Sequence, residues 1–230
     1  MSRGYGRKTK GFLLAHENIS AYEIGDEPLQ YARKYKDIIV SVAENRGMGI
    51  PKLLSQHPEV ETVLLDDAFQ HRSIEPGLNI LLTEFSKPYY ADFLMPTGRL
   101  REWPQGAKRA DAVVVSKCPE DLPLEKMQSI EKKLKLQAHQ ELFFSFYKYL
   151  SPYNIFNPAQ KVNLSDFDSV FLVSAIANTD YLLDYLESQG LDVYDLSFED
   201  HHQFSNYEIS NIIKRFEEQK GENKILLTTE

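Results

Sequence analysis

Four short runs set the strongest limit on what this chain can form: residues 38–42 (IIVSV), 62–66 (TVLLD), 78–83 (LNILLT) and 112–116 (AVVVS). Each is nearly continuous in apolar or β-branched residues and too short for a buried helix, so each predicts a buried strand. Strands apolar on both faces belong to parallel sheets, where crossover helices cover them. Helices are predicted between them at about 28–36 and 46–56. A third, at about 124–138, places Leu124, Met127, Ile130, Leu134 and Ala138 on one face. This alternation predicts an α/β fold with a parallel-sheet core over residues 1–150, including a further strand at 141–150.

Residues 151–167 hold two prolines and little periodicity, which reads as a linker. A second, smaller α/β domain is expected over 168–230. Its strand at 170–174 leads into a helix at about 179–189 ended by Gly190. A strand at 191–196, a helix at about 205–219 and a strand at 224–228 complete it.

Composition removes several function classes. One cysteine, Cys118, excludes a disulfide framework and a multi-cysteine zinc site. No apolar run approaches the roughly 20 residues that span a bilayer, and no signal-peptide pattern is present. A net charge of −8 argues against nucleic acid as a partner. The first ten residues reverse that sign locally, with Arg3, Arg7, Lys8 and Lys10 and no acid.

The chemistry concentrates in residues 64–72. An apolar run ends in Asp66 and Asp67, and Gln70, His71 and Arg72 follow. Buried charge is costly unless it is paired or metal-bound, and ligands of parallel α/β sheets bind outside the carboxyl ends of strands. An apolar strand ending in Asp also holds Mg²⁺ in phosphotransferases of the P-loop type. Other segments are individually ambiguous. In residues 2–8 (SRGYGRK), two glycines allow close backbone approach and the cations favour phosphate, or the segment is a solvated tail. Asp26 in Gly25-Asp26-Glu27-Pro28 reads equally as a helix cap. Arg99 and Arg101 in residues 96–102 (PTGRLRE) could clamp a phosphate or pair with Glu102. Residues 109–117 (RADAVVVSK) look like a strand with a nucleotide-facing loop. In residues 200–204 (DHHQF), Asp200, His201 and His202 suit proton transfer or metal binding, or stand in solvent beside a helix capped by Ser205.

In this order, and together with residues 175–178 (AIAN), these motifs resemble the tetraacyldisaccharide 4'-kinase family, which phosphorylates a lipid A precursor. The resemblance implies a P-loop-kinase-like core and phosphoryl transfer from ATP and Mg²⁺ to the 4'-hydroxyl of tetraacyldisaccharide 1-phosphate. It places the reaction on a membrane surface, at the cytoplasmic face of the bacterial inner membrane. Asp26 and His201 would form the acid–base pair, with Asp67 also catalytic. Asp66 and Asp67 would serve Mg²⁺, and Gln70 and His71 would line the nucleotide pocket beside them. Arg3, Tyr5, Arg101 and Glu102 would meet the substrate. Ala68 stands where the family often has glycine, and Thr179 where proline is common.

The family's glycine-rich loop ending in Gly-Lys-Thr occurs nowhere in the 230 residues. That loop cradles the β- and γ-phosphates, so these residues alone are expected to be nearly inactive and to represent a fragment lacking its first strand and phosphate loop. Residues 227–230 (LTTE) similarly look like an interrupted family segment. Two other readings compete. One is a metal-dependent phosphoesterase using Asp66, Asp67, His71, Asp200, His201 and His202. The other is a non-catalytic module that binds an anionic lipid or nucleotide through the basic amino terminus.

Overall fold

A computed structural model describes residues 1–229. The chain divides into two compact units, Met1–Lys148 and Tyr149–Glu230, and each is described by itself.

The first unit is centred on a three-stranded parallel sheet of β3 (Ile80–Glu84), β4 (Ala112–Ser116) and β5 (Glu141–Phe144), in the order β3-β4-β5. The register runs from Ile80 opposite Ala112 to Glu84 opposite Ser116, and from Ala112 opposite Glu141. Val113 and Val115 of the middle strand are buried, and so are Ile130 and Leu134 of α4 (Leu124–Leu134), in one cluster with Ala110, Leu122 and Cys118. Cys118 is sealed there, its thiol donating to the Val115 carbonyl at 3.3 Å. Burial pushes that thiol's pKa up. Helix α4 stops four residues short of the predicted end because Lys135 adopts a left-handed conformation at φ 52°.

Before this sheet comes a smaller layer. Strand β1 (Leu13–Leu14) pairs antiparallel with β2 (Ser41–Val42), and α1 (Ala21–Ile24) and α2 (Asp26–Lys34) lie between them in sequence. Ile19, Ile24, Leu29, Val40 and Val42 form their core. Helix α3 (Arg46–Gln56) starts at Asn45, whose Oδ1 accepts from the Met48 amide at 3.2 Å.

The predicted strand at 62–66 is not one. A strand is defined by its ladder, and among the described residues this stretch has no strand beside it: the Met1 ammonium donates to the Leu64 carbonyl at 2.6 Å, and the Asp66 amide donates to the Met1 carbonyl at 3.0 Å. Leu64 is left 80% exposed. The predicted strands at 38–42 and 141–150 form regular ladder only over 41–42 and 141–144.

The second unit opens with a hairpin, β6 (Tyr153–Asn154) and β7 (Asn157–Lys161), inside the segment expected to be a linker. Its main sheet is parallel, in the order β10-β8-β9, with β8 (Ser169–Ser174), β9 (Asp192–Ser197) and β10 (Lys224–Thr228). Every residue of β8 is buried. Val170 and Leu172 pack with Leu186 of α5 (Asp180–Ser188), while Phe171 and Val173 pack with Ile212 of α6 (Asn206–Glu218). The period-2 alternation of β8 thus sends one helix to each face, the doubly wound arrangement. Helix α6 begins with a capping box, Ser205 Oγ accepting from the Glu208 amide and the Glu208 carboxylate accepting from the Ser205 amide at 2.8 Å.

Candidate active site

In the first unit, two of the singled-out motifs meet through their backbones. Residues Gly4 and Tyr5 press against Ile24 and Gly25. A Cβ on Gly25, which sits at φ 94°, would come within 2.9 Å of the Tyr5 carbonyl, and one on Gly4 within 2.7 Å of the Ile24 carbonyl. Glycine is required at both contacts because no side chain fits and because φ is positive at each. The Lys8 amide donates to the Tyr22 carbonyl at 2.9 Å, and the Thr9 hydroxyl to the Glu23 carbonyl. The basic segment is therefore built into the fold and is not a solvated tail. The Arg7 side chain is 3% exposed and bonds Glu44 Oε1 at 2.6 Å and the Gly11 carbonyl at 2.7 Å. Arg3 and Tyr5 remain on the surface. Asp26 opens α2 directly after Gly25, exposed.

The Asp66–Arg72 segment is a series of turns. Asp67 holds φ 42°, a conformation that aspartate tolerates better than most residues. Its carboxylate meets Arg101 Nη1 at 3.2 Å, both side chains well exposed. Phe69 packs against the main core of this unit. Arg109 clamps the segment from the side: its Nη2 donates to the Phe69 carbonyl at 3.2 Å, and its guanidinium lies 4.7 Å from the centre of the Phe69 ring. The same guanidinium grips Glu102 in a fork, at 3.0 and 2.7 Å. Glu102 is thereby engaged by Arg109, while Arg101, its neighbour, reaches Asp67. Arg109 and Asp111 precede β4, and Asp111 Oδ2 accepts from the Asn79 amide at 2.7 Å. That end of the RADAVVVSK segment is architectural, not nucleotide-facing; only Lys117 follows the carboxyl end of the strand.

Sequence reasoning missed Arg46. It is 3% exposed, donates to the Asp66 carbonyl at 3.2 Å, and has a buried Nε without a hydrogen-bond partner. Burial and nearby Arg3 lower its pKa, while Asp67, Asp66 and Glu44 raise it. The available signal was its place at the first position of α3, where the helix dipole disfavours a cation. His71 Nε2 is also buried without a hydrogen-bond partner. Gln70 is exposed in the same turn. Two adjacent carboxylates supply the hard oxygen donors that Mg²⁺ prefers. With buried Arg46 beneath them and Arg3 and Arg101 at hand, the donor set fits a magnesium–phosphate group.

In the second unit, β8 leads through α5 to β9 on one side, and the chain then crosses through α6 to β10 on the other. That makes the carboxyl end of β8 a topological switch point, where doubly wound sheets bind ligands. Residues 175–178 follow β8 there. Residues 200–204 are drawn to them by the His201 amide, which donates to the Ala175 carbonyl at 3.2 Å. His201 has φ 61°, and its Nε2 stands 3.6 Å from Asp200 Oδ2. His202 is turned to architecture: Nε2 lies 3.0 Å from Glu208 Oε1, and the ring stacks on Phe198.

The rival readings find no support in this geometry. Among the described residues, no group of three His, Cys, Asp or Glu side chains is arranged to hold a metal, and Glu208 takes His202 out of the ligand set. A module binding through a loose basic terminus is equally unsupported, since Arg7 is consumed by Glu44.

Each unit carries a parallel three-stranded sheet with ionisable motifs in loops beside it, the arrangement of α/β ligand-binding proteins. The chain matches the family described as tetraacyldisaccharide-1-P 4'-kinase over residues 1–230 and belongs to that family. It is 41% identical to the tetraacyldisaccharide 4'-kinase of Bacteroides thetaiotaomicron, covering all of this chain and 63% of the relative. It is 40% identical to that of Flavobacterium johnsoniae, covering all of this chain and 66% of the relative. The chain thus spans somewhat less than two thirds of their length. The crystal structure of "apo" form LpxK from Aquifex aeolicus in complex with ATP superposes with a TM-score of 0.69 at 28% identity, over 99% of this chain and 66% of that one.

Proposed function

We propose that the protein transfers the γ-phosphoryl group of ATP to the 4'-hydroxyl of tetraacyldisaccharide 1-phosphate, at the cytoplasmic face of the bacterial inner membrane. The observation that carries this reading is the family match along the whole chain, with the segments at 2–8 and 25–28 packed against one another in the first unit. The names of the relatives and the ATP complex of the Aquifex protein support it.

In this mechanism Asp26 and His201 are the acid–base groups. The His201 imidazole takes the 4'-hydroxyl proton as the oxygen attacks, and Asp26 serves as the other proton-transfer group. Asp66 and Asp67 would hold Mg²⁺, which would supply charge neutralisation at the phosphates. Gln70 and His71 line the nucleotide side of the same loop. Arg46 sits beneath it as a fixed positive charge that holds the Asp66 backbone and needs no reorganisation during the reaction. Arg3 and Arg101 meet the anionic groups of substrate and nucleotide, and Tyr5 packs on the sugar. Glu102 serves the substrate indirectly, by holding Arg109 against the loop.

The test uses the full-length gene product, ATP and tetraacyldisaccharide 1-phosphate. Asp26→Ala and His201→Ala are each expected to lower kcat by about 10²–10⁴-fold with KM little changed. Full turnover in both variants would remove the acid–base assignment, and no transfer by the wild type would remove the kinase reading.

A further inference from the structure

The β6–β7 hairpin carries side chains that neither its turn nor a core accounts for. Its strands are joined by Ile155 and Phe156. Two-residue hairpin turns favour Gly, Asn or Asp because the preferred types need positive φ. Here an aliphatic and an aromatic residue occupy the turn, neither with positive φ. Asn154 fixes the bend, its Oδ1 accepting from the Phe156 amide at 2.8 Å. Phe156 is 94% and Ile155 68% exposed, and all five residues of β7 are exposed.

The surrounding sequence is one-sided in charge. From Leu142 to Ser165 there is no Asp or Glu, in a chain that carries 34 acids, and the cations of that stretch are Lys148 and Lys161. Lys161 pairs with Tyr153 across the ladder, and its ammonium lies 5.1 Å from the ring centre. An apolar tip, a tyrosine one step behind it and a long cation beside the ring follow the order of groups met between hydrocarbon and lipid headgroups. A protein partner buries its anchors in pockets. A two-residue tip on a two-stranded ribbon projects instead, and suits a medium that deforms around it.

We propose that this hairpin is a membrane contact, with Ile155 and Phe156 entering the acyl region of a lipid surface and Tyr153 and Lys161 at headgroup level. The proposal goes beyond the kinase reading. Its test measures lipid contact without turnover, so either can fail alone.

The probe is Phe156→Trp in a Trp103→Phe background, mixed with vesicles of four parts phosphatidylcholine to one part phosphatidylglycerol. The expected result is a blue-shifted emission, quenched by lipids spin-labelled near the top of the acyl chain. In parallel, the paired substitution Ile155→Ser with Phe156→Ser is expected to lower co-sedimentation of the chain with the same vesicles about tenfold or more. Circular dichroism confirms folding, which neither exposed side chain supports. An unshifted, unquenched tryptophan in folded protein overturns the proposal, as does co-sedimentation indifferent to the serine pair. A dimer in sedimentation velocity that the serine pair dissolves, without vesicle binding, also overturns it and assigns the tip to a second copy.

Discussion

Arg109→Met tests whether the loop after residue 64 is held in place from outside itself. Arg109 makes two bonds to Glu102 at 3.0 and 2.7 Å, one to the Phe69 carbonyl at 3.2 Å, and a ring contact with Phe69. Hydrogen bonds to charged groups contribute about 1.5–3 kcal/mol when sheltered, and fully exposed ion pairs about 0–1 kcal/mol. The two side chains are 34% and 26% exposed, so the Arg109–Glu102 coupling falls between, at about 1–2 kcal/mol. The carbonyl bond and the ring add about 1 kcal/mol. The substitution should therefore cost about 2–3 kcal/mol in the first unit. Urea unfolding followed by Trp103, adjacent to Glu102, reads that unit directly. A double-mutant cycle with Glu102→Gln isolates the pair. Arg109→Lys should recover less than half the loss, because an ammonium cannot make the fork. A coupling energy below about 0.3 kcal/mol would refute the clamp and return Glu102 to direct contact with substrate.

Further outcomes are expected. Gly25→Ala forces a Cβ to 2.9 Å from the Tyr5 carbonyl at φ 94° and should destabilise the first unit by about 2 kcal/mol or more; a wild-type urea midpoint would contradict that packing. Glu208 has its pKa lowered by hydrogen bonds from Ser205 and by His202, so its contribution is present above the ordinary carboxylate range and is lost as pH falls through the lowered value. The stability gap between wild type and Glu208→Gln should close as pH drops below about 4.5, and a gap constant from pH 7 to pH 3 would exclude the mechanism. In the full-length product, Asp67→Asn should raise the magnesium concentration needed for half-maximal rate, and an unchanged titration would count against that ligand. The 230 residues by themselves, which contain no Gly-Lys-Thr loop, should turn over ATP at under about 1% of the full-length rate; a higher rate would show that the phosphates are cradled elsewhere.

The strands legible in the sequence are those that find a ladder in the structure. Residues 112–116 and 170–174 read as buried strands and are the central strands of their sheets. Residues 62–66 read just as strongly and form no ladder, because apolar content reports burial propensity while a strand needs a neighbour at hydrogen-bonding distance. The hairpin reads as linker for the opposite reason: β7 is exposed along its whole length and carries no apolar alternation to detect. At the site, the acidic loop announced itself through the density of ionisable groups. Arg109 did not. Its partners lie seven residues upstream at Glu102 and forty upstream at Phe69, a relation with no local signature. His202 and His201 are adjacent and chemically identical, and only the capping glutamate of α6 separates the architectural one from the candidate base.

Cys118 is the one thiol in the chain, and it is buried in the first unit against β4, with its pKa raised. An alkylating reagent can reach it only when that unit opens. The labelling rate in native buffer therefore serves as a clock for local opening of β4 and its surroundings. Since Tyr149–Glu230 contains no cysteine, the same rate is blind to unfolding confined to the second unit. Timing the label with and without added nucleotide would show whether ligand binding tightens the central sheet.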